Sequence, residues 1–191
     1  MSTLTVKELA APTGFDLKIA SGETLDLKSQ GTVTMPTGSV LQVVNAIRTT
    51  TMVWTSNAIV DQLSATITPK SSSSKILVQC SIVGAGQHGW QNVLAMSMRR
   101  GSTYIGKITT AGSTNANNAF ASMGGPSYAD SGRIMETFTL SYLDSPSTTS
   151  AITYTLAARG DNASMTVYTG RWSLNSDAAA VTTITLMEVS A

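Results

Sequence analysis

Short stretches in which apolar and hydroxyl side chains strictly alternate are the feature that most constrains the fold of this chain. Residues 137–143 have the sequence TFTLSYL, and residues 151–156 and 182–189 follow the same pattern. Alternation with a period of two places each set of side chains on its own face of a β-strand. We therefore predict antiparallel strands that are covered on one face only. The buried faces would carry Phe138, Leu140 and Tyr142, then Ile152, Tyr154 and Leu156, and finally Ile184 and Leu186.

Turn residues divide the rest of residues 38–191 into further candidate strands. Gly, Pro and Ser cluster in the breaks, as at residues 69–74, 124–126 and 145–147. The 28 threonines and 25 serines suit strands and turns respectively. This spacing predicts an all-β chain whose residues 38–191 form an antiparallel β-sandwich knob. The predicted strands are 40–48, 51–54, 64–68, 75–83, 93–100, 102–109, 133–143, 152–159, 165–169 and 182–189.

Two stretches of the knob depart from strict alternation. Residues 76–78 are apolar throughout, which predicts that both faces of their strand are covered, with a neighbouring subunit as a candidate for the second cover. Residues 110–130 have no clean period. A segment of this length without regular structure is usually functional or covered by a partner.

Residues 1–37 have a different organisation, and Pro36 and Gly38 mark the boundary. A helical turn at residues 5–8 or a short extended arm is followed by three short alternating stretches at 15–19, 23–28 and 31–35. Such short strands cannot bury a core alone, but three chains wound around one axis could. We therefore predict an N-terminal attachment arm and short β-stem. Its trimer-stem core would consist of Leu17, Ile19, Leu25, Leu27 and Val33.

Charge is scarce in this chain. It has 12 Lys and Arg residues against 11 Asp and Glu, a net charge of +1, and only 12% charged residues, about half of the usual share. Nucleic acid and anionic membranes are therefore not expected partners. A weakly charged surface favours a homo-oligomer in which neighbours cover it.

Membrane insertion and export are not expected either. No apolar stretch approaches the roughly 20 residues that a membrane helix needs, and the N-terminus lacks the basic and apolar regions of a signal peptide. We expect synthesis in a cytoplasm. The single cysteine, Cys80, lies in an apolar strand-like run and is predicted to be a small buried side chain.

The titratable residues do not form a catalytic pattern. His88 is the single histidine, so a multi-histidine metal site is not possible, and a Ser-His-Asp triad would need His88 as its base. No serine lies in a Gly-x-Ser-x-Gly motif. Most carboxylates of the knob are expected in turns, as at Asp144 and Asp161, which makes a pair of glycan-cleaving carboxylates a distant alternative. The sequence predicts a non-enzymatic protein without catalytic, cofactor-binding or metal-binding residues.

Two short motifs have an ordinary structural interpretation. Residues 159–161 spell Arg-Gly-Asp, an adhesion tripeptide, but residues 160–162 are typical of a hairpin turn. Arg99 and Arg100 precede Gly101 in the densest basic spot of the chain. We predict a turn between two strands there, or a salt bridge across a subunit interface.

Aromatic residues beside amides are the candidates for receptor binding. Trp90 is followed by Gln91 and Asn92, and Tyr128 follows an asparagine-rich stretch. Exposed aromatics next to amides are typical of surfaces that bind glycans or proteins. The sequence leaves open the role of the other aromatics, which are Trp54, Trp172, Tyr104 and Tyr168. The alternative that these rings belong to the core also stays open.

Four motifs resemble those of tail-fibre-like and head-decorating virion proteins of marine and cyanobacterial tailed bacteriophages. They are GTVTMPTGSVLQVV at 31–44, ITPKSSSSKILV at 67–78, YLDSPSTT at 142–149 with the strand that follows, and ITLME at 184–188. The resemblance implies a homotrimeric virion protein, made in the host bacterial cytoplasm, with a jelly-roll-like C-terminal knob. Residues 1–37 would attach to other virion proteins of the tail or capsid, and the knob would contact a host surface glycan or protein. The chain departs from large fibres in having no long N-terminal domain before residue 38, which leaves room for the alternative of a capsid decoration protein that docks on the head and stabilises it.

Overall fold

The computed structural model of the chain describes residues 35–87, 92–109, 118–125, 136–171 and 179–191, together with residues 13, 21 and 22. This part of the chain contains eleven strands and no helix. The strands are β1 (Val40–Arg48), β2 (Met52–Thr55), β3 (Val60–Ile67), β4 (Lys75–Gln87), β5 (Asn92–Arg100), β6 (Thr103–Ile105), β7 (Ala121–Gly125), β8 (Glu136–Asp144), β9 (Ile152–Gly160), β10 (Thr166–Thr169) and β11 (Thr182–Val189).

The strands form two antiparallel sheets. The first sheet has the order β1-β11-β4-β8, and β10 and β2 extend it beside the second half of β4. The second sheet has the order β3-β9-β5, with both β6 and β7 pairing to the free side of β5. The predicted all-β fold with an antiparallel sandwich is confirmed.

The order of the strands is that of a jelly roll. We number the strands β1, β3, β4, β5, β7, β8, β9 and β11 from one to eight in chain order. The first sheet then reads one, eight, three, six, and the second reads two, seven, four, five. This is the interleaved double-sheet arrangement of capsid and lectin domains. The chain therefore crosses repeatedly between sheets, and each sheet joins residues that are far apart in sequence.

The core lies between the sheets and includes the side chains that the alternation predicted to be buried. Phe138, Ile152, Tyr154, Leu156, Ile184 and Leu186 are all buried. Leu140 and Tyr142 are half-buried and pack against the same cluster. Cys80 is buried as predicted, and burial raises the pKa of its thiol to about 12, so the thiol is uncharged at neutral pH.

Several strands have limits that differ from the sequence expectation, and β4 continues to Gln87 rather than ending at residue 83. β3 begins at Val60 rather than at residue 64, because a register shift between Asp61 and Leu63 interrupts the alternation. β6 ends at Ile105 rather than at residue 109, because Gly106 follows with a φ of 58°. β7 was not predicted within residues 110–130. Its small residues show no alternation, and its extended conformation depends on pairing with β5.

The turn after Arg159 is not the hairpin that was predicted. Residues 161–164 do form a turn, in which the Ser164 amide donates to Asn162 Oδ1 at 2.9 Å. The turn connects β9 in the second sheet to β10 in the first, so the two strands are not hairpin partners. By contrast, β5 and β6 do form the predicted hairpin, with Gly101 at a φ of 56° in its turn.

The chain divides into two compact units, Met1–Thr34 and Met35–Ala191. The predicted arm and stem lie outside the described residues, apart from positions 13, 21, 22 and 35–37. The stem-core assignment of Leu17, Ile19, Leu25, Leu27 and Val33 falls on residues that are not described and stays a prediction.

Candidate functional surfaces

One end of the sandwich, which we call the near end, is where the chain enters the knob. The Gly38 amide donates to the Ser190 carbonyl at 2.8 Å, and the Ser190 amide donates to the Ser39 carbonyl at 2.9 Å. Residues 36–39 are therefore fixed to the segment that follows β11. Any attachment made through the N-terminal residues begins from this end.

A buried carboxylate stabilises the near end. Glu188 on β11 has 0% of its surface exposed. Its Oε2 accepts a hydrogen bond from Gln42 Nε2 of β1 at 2.6 Å, and its Oε1 accepts one from the Lys70 amide at 2.7 Å. Burial alone would raise the pKa of Glu188. Interactions with Ser74, Gln42 and the amides of Lys70 and Ser71 outweigh burial and hold the pKa below its ordinary value.

Because of this carboxylate, we expect the free energy of unfolding to depend on pH. Since the pKa of Glu188 is lower in the folded chain, the unfolded chain binds the proton first as the pH falls. The stabilisation is present above the ordinary pKa of 4.5 and is lost as the pH falls through the folded value. Glu188→Gln should lower the free energy of unfolding at pH 7 by about 2 kcal/mol, and the difference from the wild type should shrink at low pH. Urea unfolding from pH 7 to pH 3 measures this.

Glu136→Gln, which removes one exposed carboxylate from the start of β8, supplies the baseline for the change in net charge. If the free energy of unfolding fell equally in the wild type and in Glu188→Gln as the pH is lowered, the assignment of the acid dependence to Glu188 would be contradicted.

The opposite end, which we call the far end, is where the longest strand finishes. β4 starts at Lys75, which pairs with Val189 at the near end, and it finishes at Gln87. Asn92 at the start of β5 pairs with Gly125 at the end of β7. The described residues that flank segments 88–91 and 126–135 therefore lie at this end.

The predicted receptor-binding residues flank or fall within those two segments. Asn92 begins β5 at the far end. Trp90, Gln91 and Tyr128 lie outside the described residues. Their assignment to receptor binding stays a prediction.

The outer face of the first sheet carries an apolar row that crosses four strands. The pairing register places Val43 of β1 beside Met187 of β11, Met187 beside Leu77 of β4, and Leu77 beside Leu143 of β8. Their neighbours in sequence point into the core, so these four side chains point outward. Val43 is 56% exposed and Leu143 is 48% exposed, whereas Leu77 and Met187 are half-buried. We call Val43, Met187, Leu77 and Leu143 the apolar row.

This finding refines the sequence expectation for residues 76–78. Ile76 and Val78 are buried in the core, but the outward side chain Leu77 is only half-covered by its own chain. Leu77 contributes to an apolar surface that a single chain leaves open.

The surroundings of the apolar row are uncharged. The rest of the outer face within β1, β11, β4 and β8 consists of hydroxyl, amide and apolar side chains, and Lys75 is the charged residue at its near edge. Val40, Ile47, Val53 and Val181 add further exposed apolar surface on the same side. The outer face of the second sheet differs, because it carries Arg99, Arg159 and Asp61.

The size of this outer face matches a protein contact. Four strands spaced about 4.8 Å apart, each about eight residues long, cover roughly 500 Å². Two such faces in contact would bury about 1,000 Å², the lower limit of a specific interface. Because Lys75 at the near edge is the charged side chain of this face, two copies can meet through the rest of the face without desolvating an ion.

Both arginines of the basic spot at residues 99 and 100 form ion pairs within the chain. Arg99 forms an ion pair with Asp61, and Arg100 Nη1 lies 2.9 Å from both carboxylate oxygens of Asp144. Asp144 closes β8 and is 5% exposed. Its carboxylate has a structural role that its expected place in a turn did not reveal.

Two further observations concern metal binding and membrane-spanning helices. Among the described residues, no group of three or more His, Cys, Asp or Glu side chains is placed to hold a metal ion. No helix in the described ranges is both long and apolar enough to cross a membrane.

Comparison with known proteins gives matches at the level of solved structures. No family model matches the chain, and no curated protein matches it. It is similar to a chain in the structure of the infectious bursal disease virus Gt strain, with 10% identity, a TM-score of 0.41 and coverage of 88% of this chain and 42% of that chain. The VP2 subviral particle of the same virus gives 10% identity, a TM-score of 0.39 and coverage of 88% and 42%.

This chain therefore spans less than half of the length of those solved chains. At such identities and TM-scores, the similarity carries no argument about function. The function is inferred from the surfaces described above.

Proposed function

We propose that this chain is a non-enzymatic structural protein of a bacteriophage virion. In this proposal it forms a homotrimeric fibre, made in the host bacterial cytoplasm. The N-terminal residues 1–37 attach to other virion proteins, and the knob contacts a glycan or protein of the host surface. The apolar row on the weakly charged outer face of the first sheet is the observation that carries the proposal.

The apolar row favours assembly from copies of the same chain. The largest exposed apolar patch of a soluble protein is often a contact site, and here four apolar side chains lie side by side across four strands. A charged partner would lose its hydration on this face without gaining an opposite charge. A second copy brings the same neutral face, so the same outward residues can converge around a symmetry axis.

The opposite positions of the two ends support attachment to the particle at the near end and contact with the host surface at the far end. Residues 36–39 are bound to the segment after β11 at the near end. Gln87 and Gly125, which precede the segments that contain Trp90 and Tyr128, lie at the far end. A fibre that attaches through residues 1–37 would present the far end to its surroundings.

An experiment on particles and cells tests this proposal. Antibody against the knob should label purified virions in electron microscopy. The full chain should sediment with particles that lack it, whereas residues 35–191 alone should not. Label at the tail would support a fibre, and label over the head would favour the capsid decoration alternative. Absence of label from every particle would overturn the virion assignment.

The receptor contact has its own variants. Trp90→Ala and Tyr128→Ala should each reduce binding of the full chain to host cells about tenfold or more, with the melting temperature unchanged. Met35→Ala, which changes an exposed side chain before β1, is the control and should bind normally. Undiminished binding by both aromatic variants would remove these two residues from the receptor contact.

A further inference from the structure

We infer that a cleft along the edge of the sandwich binds a carbohydrate that carries a carboxylate group. The cleft lies where the β6 edge of the second sheet faces β8, the edge strand of the first sheet. The inference deepens the proposed contact with a host surface, and it rests on that proposed function only for the source of the carbohydrate. The cleft lies along the side of the sandwich, apart from the predicted receptor residues of the far end.

The dimensions of the cleft suit a small sugar. Its volume is about 470 Å³, and it is open to solvent. Ligand sites have volumes of about 300–1,000 Å³ and combine apolar walls with a few polar groups. Tyr104, Lys107, Tyr142 and Leu143 line the walls, and the largely covered Arg100 and Asp144 lie at the bottom. Leu143 also belongs to the apolar row, so the cleft borders the surface proposed for contact between copies.

The bottom of the cleft is held rigidly by hydrogen bonds. Arg100 Nη1 donates to both oxygens of Asp144, and the Tyr154 hydroxyl donates to Asp144 Oδ2 at 2.7 Å. Burial, together with the hydrogen bond to Asp144, raises the pKa of Tyr154, so this donor keeps its proton. The negative charge of Asp144 is therefore already matched by Arg100.

The remaining charge in the cleft is positive. Lys107 is exposed and forms no salt bridge with any residue in the described part of the chain. Because Arg100 and Asp144 neutralise each other, Lys107 leaves a net charge of about +1 at the cleft. An anionic group of a ligand would complete this site, and a carboxylate is the anionic group that acidic sugars carry.

The walls provide the other half of carbohydrate recognition. Tyr104 and Tyr142 are both half-buried. Neither hydroxyl has a hydrogen bond to another described residue. A tyrosine offers an apolar ring together with a polar tip. Sugars have the same dual character, since their C–H faces pack on rings while their hydroxyls need hydrogen-bond partners.

Gly106 brings the backbone of the cleft close to one of these rings. It has a φ of 58°, and a Cβ atom there would lie 3.1 Å from Leu140 Cδ1 and 3.4 Å from the Tyr142 ring. A larger residue would push against Tyr142 and would also be strained at this φ. Glycine at this position therefore keeps the wall around Tyr142 in place.

Titration of the full chain with defined monosaccharides tests the inference. Galacturonic acid and N-acetylneuraminic acid are the acidic probes, and galactose is the neutral probe, with binding followed by changes in tyrosine fluorescence or by calorimetry. We expect both acidic sugars to bind more tightly than galactose. Tyr104→Ala should weaken binding of all sugars about tenfold. Lys107→Gln should weaken binding of the acidic sugars alone, by about fivefold.

Lys75→Gln is the matched control, because it removes an exposed lysine from the outer face of the first sheet. It should leave all affinities unchanged. Melting temperatures verify that each variant is folded, and Tyr104→Phe provides a second variant that keeps the ring.

Two outcomes would overturn the inference: no binding of acidic sugars by the wild type, or binding that is equal in the wild type, Tyr104→Ala and Lys107→Gln. This test needs only the purified chain. If no acidic sugar binds, the virion proposal is unaffected. If antibody labels no particle, the sugar titration remains a valid test of the cleft.

Discussion

Replacing Asp144 by alanine should lower the free energy of unfolding by about 3 kcal/mol, because it breaks a partly buried ion pair and removes the acceptor of the Tyr154 hydroxyl. Asp144 has 6% of its side chain exposed and accepts hydrogen bonds from Arg100 and from Tyr154, which is itself fully buried. Without the carboxylate, the Tyr154 hydroxyl would lose its acceptor, and the Arg100 guanidinium would keep only its long hydrogen bond to the Ser145 carbonyl. Denaturant unfolding at pH 7 measures the effect.

The chain contains a closely matched control for this prediction. Arg99 and Asp61 form an ion pair on the outer face of the second sheet, in which the Asp61 side chain is 60% exposed. Asp61→Ala should therefore cost less than about 1 kcal/mol. Equal losses for the two variants would show that burial does not distinguish the two pairs. Tyr154→Phe, which removes one hydrogen bond but keeps the ring, should cost about 1 kcal/mol.

Replacing Leu143 by lysine should dissociate the oligomer. The apolar row would then bring a charge into a contact that contains no opposite charge, and each copy would bring its own lysine. Like charges placed together at an interface cost several kcal/mol, so the dissociation constant should rise at least about 100-fold. Light scattering of the full chain measures the mass, with three copies expected for the wild type and one for the variant at micromolar concentration.

Thr153→Lys is the control for the added charge, since Thr153 is exposed on the outer face of the second sheet. It should keep the wild-type mass. Measurement of residues 35–191 with and without Leu143→Lys separates the contribution of the knob from that of residues 1–34. A wild-type chain that is monomeric in both forms would contradict assembly through the apolar row.

The sequence predicts strands best where the alternation of apolar and polar side chains within the strand determines which face is buried. β1 and β11 have the predicted limits, and the residues predicted to be buried in β8, β9 and β11 do face the core. In these strands, one face packs on the core and the other meets hydroxyl groups, so alternation carries the information. β7 shows the converse, since its conformation depends on β5 rather than on its own composition.

The candidate surfaces could not be derived from local patterns. Val43, Leu77, Leu143 and Met187 come from four separate parts of the chain, and the strand register alone places them side by side. Asp144 was expected in a turn because Ser145 and Pro146 follow it, but Arg100 from the other sheet makes it a buried ion-pair partner. Glu188 has the same parity as Ile184 and Leu186, so alternation could have indicated that it points inward.

The two ends of the knob offer two separate sites at which a foreign peptide could be displayed. The chain enters at residues 36–39 and finishes at Ala191 beside them, so a peptide fused after Ala191 would leave from the near end. A peptide inserted into the turn at 161–164 would instead emerge beyond Gly160, which pairs with Leu94 close to the far end. β4 has 13 residues, which places these two sites roughly 40 Å apart. Foreign sequences could thus be directed either toward the side of attachment or toward the exposed tip.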